Sequence, residues 1–310
     1  MFVRRIGQTW KSIVGACRFP QCLMFHSVGE SGELAPVRPQ DAVSESAFRT
    51  IIGEIATLCR PTSVPEFVER LQRGSVPERT VTVTFDDGFA DNLTTVLPIL
   101  EEFNVPATVY VATGFVDRTV RPFQYDLASL ICQCATVRFQ RNGVEQIWHL
   151  DDASGRVDCY SSIYRELKPE SAERRSAAML ELNSQCKRLP NHAERYLCWE
   201  RLRELAASPL ITIGGHTHHH LVLDAVDRKE MRADIAKGKQ LLEEHLGEPI
   251  THFSFPYGHH DRFVRNTVRE LGFNSAMSIG TQYPWQRWDP FNIKRMPVSD
   301  ASFSTIFNAA

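Results

Sequence analysis

Two kinds of apolar pattern alternate along the chain. Short runs rich in β-branched and aromatic residues occur at Gln21 to His26, Thr80 to Phe85, Ala107 to Ala112, Leu210 to Gly215, and around Phe253, Phe255 and Phe273 to Ser278. Each has the length and composition of a buried strand. Between them, apolar residues recur at helical spacing. Residues 47–58 and 64–72 predict two helices, and Leu93, Val96, Leu97, Leu100 and Phe103 predict a third whose start is blurred by Pro98. Asp227 and Glu230 predict a capping box for a further helix that ends near Gly247. Strand, helix and strand in succession predict a parallel sheet, because parallel neighbours need a crossover connection.

Residues 117–206 break this rhythm. The stretch is mostly helical in pattern and carries one hairpin signal, Asn142-Gly143, between Val137-Arg138-Phe139-Gln140 and Val144-Glu145-Gln146-Ile147-Trp148. With no internal repeat, the expected organisation is one catalytic domain over 20–310 with an insertion at about 117–206 lying over one face. It is preceded by an amino-terminal amphipathic segment, 1–19. Within residues 3–14, Val3, Ile6, Trp10, Ile13 and Val14 recur at helical spacing with Arg4, Arg5 and Lys11 between them. Such a helix could make peripheral contact with an anionic membrane, although docking on the protein's own body is the commoner fate.

Composition narrows the function classes. A net charge of −2 over 310 residues, with no basic block, argues against a nucleic-acid partner. The eight cysteines, at Cys17, Cys22, Cys59, Cys132, Cys134, Cys159, Cys186 and Cys198, lack Cys-x-x-Cys spacing and read as free thiols in a reducing compartment. No secretory leader and no run of about 20 apolar residues is evident, so no transmembrane span is expected and the cytoplasm is the expected location.

The candidate chemistry lies where strands end. Asp86 and Asp87 follow Thr80 to Phe85, and Gly88 permits the tight turn that brings both carboxylates to the sheet's carboxyl edge. One can ligate a metal while the other accepts a proton. His216 and His220 follow a second strand, and their i, i+4 spacing would align them on one helical turn as metal ligands, with His218 and His219 pointing elsewhere, solvated or toward substrate. Phe253-Ser254-Phe255-Pro256-Tyr257-Gly258 ends a third strand, and its backbone N–H groups could face a developing oxyanion. Each motif has a plain alternative: an Asp-Gly turn, a His-rich surface loop and a packed aromatic turn, respectively.

Together, Thr-Phe-Asp-Asp-Gly, His-Thr-x-x-His and Pro-Tyr-Gly resemble, in the same order, the polysaccharide deacetylases of carbohydrate esterase family 4, which share the chitooligosaccharide deacetylase homology domain. The resemblance covers roughly residues 20–300, although the insertion carries little of it beyond Pro122 to Leu130. It implies an α/β fold, a distorted (β/α) barrel of about seven parallel strands with a helical insertion. It also implies a metal-dependent carbohydrate N-deacetylase, with Asp86 as general base and Asp87, His216 and His220 as ligands of a divalent metal. Zinc is the first choice, and cobalt, nickel or manganese are also compatible with mixed nitrogen and oxygen ligands. Tyr257 would give its backbone N–H to the oxyanion hole and Pro256 would shape the substrate wall.

Two departures from the family pattern raise specific expectations. Ser254 stands where many members carry an arginine that tunes the base, and the usual carboxyl-terminal segment with the acid histidine is not found. His26 is the candidate acid, as in the circularly permuted relatives of the poly-N-acetylglucosamine deacetylase type. Arg295 is the candidate substrate contact or, with Asp289, the replacement for the tuning arginine, with a surface salt bridge as the alternative. The implied partner is an N-acetylated saccharide such as an N-acetylglucosamine unit, converted to acetate and a free amine. The rival readings are an amidohydrolase of non-sugar amides and a catalytically silent glycan-binding module.

Overall fold

The computed structural model describes residues 19–29, 42–141, 143–186, 192–280 and 288–299. The amphipathic segment at 3–14 and Cys17 lie outside the described residues. Seven strands form the barrel: β1 Gln21–Phe25, β2 Thr80–Phe85, β3 Ala107–Val111, β4 Ile211–Gly215, β5 His252–Ser254, β6 Ser275–Ile279 and β7 Ile293–Pro297. Each neighbouring pair is parallel, in the order β1-β7-β6-β5-β4-β3-β2, and β2 pairs back onto β1 to close the ring. The expected seven-stranded (β/α) barrel is therefore the observed fold. A two-residue strand, Arg60–Pro61, adds to the start of β2 outside the ring.

Alternation along β2 separates two environments. Val81, Val83 and Phe85 join the main apolar core with Phe25, Phe48, Ile51, Ile52 and Ile55, where Phe25, Phe48 and Phe85 have ring centroids 5.4 to 5.7 Å apart. Thr82 and Thr84 face the other way, toward the barrel interior, and are also buried. Because both faces are covered, all six residues of β2 are buried and the strand reads as a continuous β-former run.

Helices α1 Glu45–Leu58, α2 Val64–Gln72, α3 Leu97–Phe103, α7 Trp199–Ala206, α8 Arg228–Leu246 and α9 Arg262–Glu270 surround the ring. The blurred start of α3 is a π-helical turn at Asn92–Val96, closed where Leu97 N donates to Asn92 O, and Pro98 follows directly in the first turn of α3. Asp227 caps α8 by accepting from the Lys229 and Glu230 backbones at 2.8 and 3.4 Å. The return half of the expected capping box does not form, since the Glu230 Oε1 accepts instead from the Ala172 backbone at 3.1 Å.

Within 117–206, α4 Phe123–Gln133, a hairpin of Thr136–Arg141 with Val144–His149, α5 Ala153–Leu167 and α6 Ala172–Asn183 share an apolar cluster of their own. Phe89, Ala112 and Phe115, which follow β2 and β3, complete that cluster and anchor it to the barrel's carboxyl edge. Cys22, Cys134, Cys159 and Cys198 form no disulfide. Among the described residues, no helix is long and apolar enough to cross a membrane.

Candidate active site

Parallel register aligns the strand ends. Phe25 pairs with Phe85, Phe85 with Val109 and Val111 with Gly215, so the residues just beyond them meet at one edge. Asp86 N continues the ladder by donating to Phe25 O at 3.0 Å, and His216 N donates to Val111 O at 3.1 Å. The chain then reverses through left-handed backbone at Asp87 (φ 75°) and Gly88 (φ 81°). That reversal sends the two carboxylates in different directions, and only glycine fits comfortably at 88, where a Cβ would sit 3.3 Å from Val111.

Asp87 turns toward the two imidazoles. Its Oδ1 lies 3.1 Å from His220 Nε2 and 3.5 Å from His216 Nε2. The His216 Nδ1 is 2.8 Å from Ser254 O. A carbonyl can only accept, so Nδ1 carries the proton and Nε2 is left with its lone pair toward Asp87. The three ligand atoms lie within 4.8 Å of one another and all three residues are buried. Asp87 Oδ1 and His220 Nδ1 are buried without a hydrogen-bond partner. A buried carboxylate oxygen facing two imidazole nitrogens fits a divalent cation better than it fits an empty polar pocket.

The expected helical turn at His216 to His220 does not form. Left-handed residues at Thr217 (φ 66°) and His220 (φ 54°) fold the segment into a bend, closed where His220 N donates to Thr217 Oγ1 at 3.0 Å. Of the two histidines expected to be solvated or to reach substrate, His218 does neither, whereas His219 stays partly exposed. His218 is wholly buried, with its Nδ1 2.9 Å from Thr113 Oγ1, and the His219 Nδ1 lies 2.6 Å from Asp234 Oδ1.

Asp86 turns into the barrel and meets Arg295. The guanidinium is fully buried and donates both its terminal nitrogens to the Asp86 carboxylate at 2.7 Å each. It also donates to Ser254 Oγ at 2.7 Å and Thr84 Oγ1 at 3.0 Å. Contacts with strands across the ring place it inside the barrel, beneath Asp86, where its full burial leaves it no surface for the expected substrate contact. Ser254, standing where an arginine was expected, leaves the room that Arg295 fills from β7. Asp289 is not its partner: it accepts from Arg265 at 3.2 Å and from the Phe291 backbone at 2.9 Å, the surface salt bridge that was the alternative.

The electrostatics follow from these contacts. Burial pushes the Asp86 carboxyl up, but the Arg295 charge, His216 and the Arg295 hydrogen bonds outweigh it and hold Asp86 below the usual carboxylate range. Burial acts on Asp87 in the same direction, and its two histidines pull it well below that range. His216 is opposed by burial yet raised overall by Asp86 and Asp87, whereas His220 is lowered, mainly by burial.

His26 follows Phe25 directly and is half-buried; its charge acts on both Asp86 and Asp87. The segment is held by residues that sequence reasoning missed. Asn92 Nδ2 donates to His26 O at 3.2 Å, and Asp91 accepts from Ser27 Oγ at 2.6 Å and from Val28 N at 3.2 Å. Burial pushes Asp91 up to about 6. Pro256 is buried, and Tyr257 adopts φ 59° with its ring 4.5 Å from that of His220 and beneath the Lys168 ammonium at 4.5 Å. Arg175, also missed, donates to the His219 and His220 carbonyls from the insertion. Its only sequence signal is a charged residue on a helical apolar face.

Comparison with known proteins agrees with this geometry. The polysaccharide deacetylase family model matches residues 73–276. The structure is similar to the deacetylase PplD of Streptococcus pyogenes (TM-score 0.60, 14% identity, covering 93% of this chain and 96% of that one) and to IcaB of Ammonifex degensii (TM-score 0.60, 19% identity, 93% and 95%). It is also similar to a de-N-acetylase from Aggregatibacter actinomycetemcomitans (TM-score 0.58, 16% identity, 94% and 99%). At these identities the likeness is one of fold. No curated protein matches the sequence.

Proposed function

Because this chain belongs to the polysaccharide deacetylase family, we propose that it hydrolyses the N-acetyl group of an N-acetylated amino sugar or glycan, giving acetate and a free amine. The observation that carries this reading is the contrast between adjacent carboxylates, Asp87 facing two imidazoles while Asp86 is ion-paired at 2.7 Å to Arg295 and remains ionised. In this reading Asp87, His216 and His220 hold a divalent cation, zinc first and cobalt, nickel or manganese as compatible substitutes. Bound there, it would supply Lewis acidity to the amide carbonyl and to a water.

The chain's own residues perform the proton chemistry. Asp86 takes the proton of the attacking water, and Arg295 keeps that carboxylate charged and aimed. Tyr257 presents its backbone N–H to the oxyanion that develops on the acetyl carbon's oxygen, from a turn in which Gly258 N and His259 N are already engaged with Phe255 O and Pro256 O. Pro256 forms part of the wall. Protonated His26 gives its proton to the departing amine nitrogen as the C–N bond breaks. An ionised base held by a buried arginine argues against a silent binding module, which has no use for it.

The test is acetate release from N-acetylated chito-oligosaccharides by zinc-loaded and EDTA-treated protein, beside a panel of non-sugar N-acetyl amides. Release from the saccharides that EDTA abolishes is the expected result. Release from the non-sugar amides alone would move the protein to the amidohydrolase reading, and saccharide binding without any release would make it a binding module.

A further inference from the structure

We propose that the insertion is part of the metal centre, with Arg175 acting as a positioning residue that sets the backbone of His220. This rests on reading Asp87, His216 and His220 as metal ligands. Arg175 lies on α6 and is 5% exposed. Among the described residues no carboxylate lies within ion-pair distance of it. A buried guanidinium ordinarily requires such a partner. Two backbone carbonyls take that place: His219 O at 2.5 Å and His220 O at 3.3 Å, with the guanidinium 4.9 Å from the Phe123 ring centroid.

Those two carbonyls belong to the peptide planes on either side of the His220 Cα. Fixing both planes fixes the φ and ψ of His220, which sits at φ 54°, a conformation disfavoured for a residue with a Cβ. That conformation is what aims Nε2 at Asp87. The barrel anchors the preceding residues of the bend, through Thr113 on His218 and Asp234 on His219, while the last ligand is clamped from the insertion. The clamp is itself located, because Ala172 N, at the start of α6, donates to Glu230 on α8 at 3.1 Å. Coupling of this kind is reciprocal: a cation that holds His220 holds the carbonyls that Arg175 grips, so cation and insertion steady each other.

Zinc affinity, measured by competition with a chromophoric chelator, tests this without turnover. Arg175→Met should raise the zinc dissociation constant roughly 10–100-fold, the range for removal of a group that orients a ligand, and Arg175→Lys should raise it less. Arg174→Met, an exposed change on the same helix, should leave it unaltered. Zinc should also slow backbone hydrogen exchange at residues 172–183 in the wild-type protein and much less in Arg175→Met. A folded Arg175→Met protein with wild-type zinc affinity overturns the proposal; should that variant not fold, exchange at 172–183 indifferent to zinc in the wild type overturns it equally. A chain that binds zinc with this dependence but deacetylates nothing would refute the proposed function and leave the inference standing.

Discussion

Both ends of the barrel bury histidine, but in opposite electrostatic company. At the carboxyl edge, His216 and His220 face Asp87, with Asp86 and Arg295 behind them. At the amino edge, His252 opens β5 with Ser275 Oγ 2.8 Å from its Nδ1, beside a cavity of about 490 Å³ lined in part by Val68, Ile211, Thr212 and Pro249. That cavity has ample volume for a small ligand, yet among the described residues the one cluster with metal-ligand spacing is at the other end. Burial alone makes an imidazole neutral and inert; burial among ionised carboxylates makes it a ligand or a proton carrier. Charge partners, rather than cavity size, distinguish the two ends.

The largest test of this contrast is Asp86→Asn. The amide keeps the shape but cannot accept a proton, so kcat should fall roughly 10³-fold or more, toward the upper end of the range for a general base, while zinc affinity stays near wild type. Steady-state kinetics with a zinc titration measures both. Activity within about tenfold of wild type would remove Asp86 from the chemistry and with it the functional asymmetry of the barrel.

Next is Arg295→Met, which leaves Asp86 buried without its cation. Stripping one member from a buried pair costs about 3–5 kcal/mol of stability, readable by urea unfolding. The sign of the pH effect is also set: with the guanidinium gone, burial is less opposed, the Asp86 carboxyl rises, and the acid limb of the kcat/KM profile moves to higher pH. A variant as stable as wild type with an unmoved acid limb would mean that Arg295 is only filling space.

These two residues also show where sequence reasoning reached and where it stopped. The convergence of Asp86, Asp87, His216 and His220 was legible because each group immediately follows a β-branched strand, and parallel register brings strand ends to one edge. The place of Arg295 was not. β7 reads Ile-Lys-Arg-Met-Pro, with adjacent cations that obscure a strand, and the ion pair spans 209 positions of chain. At 216–220 the i, i+4 spacing is the only periodic cue, and it predicts a helical turn where the chain makes a bend. Left-handed Thr217 and His220 carry no compositional signal, since a non-glycine residue adopts that backbone only when its surroundings hold it. Asn92 and Arg175 escaped for a similar reason, because they donate to backbone carbonyls, which have no identity in a sequence.

A smaller effect is expected for His26→Ala. Loss of a general acid lowers turnover by roughly 10²-fold, and the loss should fall on kcat more than on KM. Near-native activity would transfer the acid role to another group and leave the edge defined by the metal ligands and base alone.

The smallest effect belongs to the amino edge and asks whether its histidine is as inert as its surroundings imply. Burial lowers His252 from 6.5 to about 4. The unfolded chain therefore takes up a proton at this residue near pH 6.5 while the folded chain resists until about pH 4, so stability is complete above the first value and declines as pH falls toward the second. Between pH 7.5 and 5.5 the decline attributable to this side chain is about 1 kcal/mol. His252→Asn, which retains a partner for Ser275, should flatten the pH dependence of urea-unfolding free energy by that amount and leave kcat at neutral pH unchanged. An unaltered pH slope would mean that His252 takes up its proton as readily in the folded protein as in the unfolded chain, which for a buried imidazole requires an anionic partner at this end and would dissolve the contrast between the two edges.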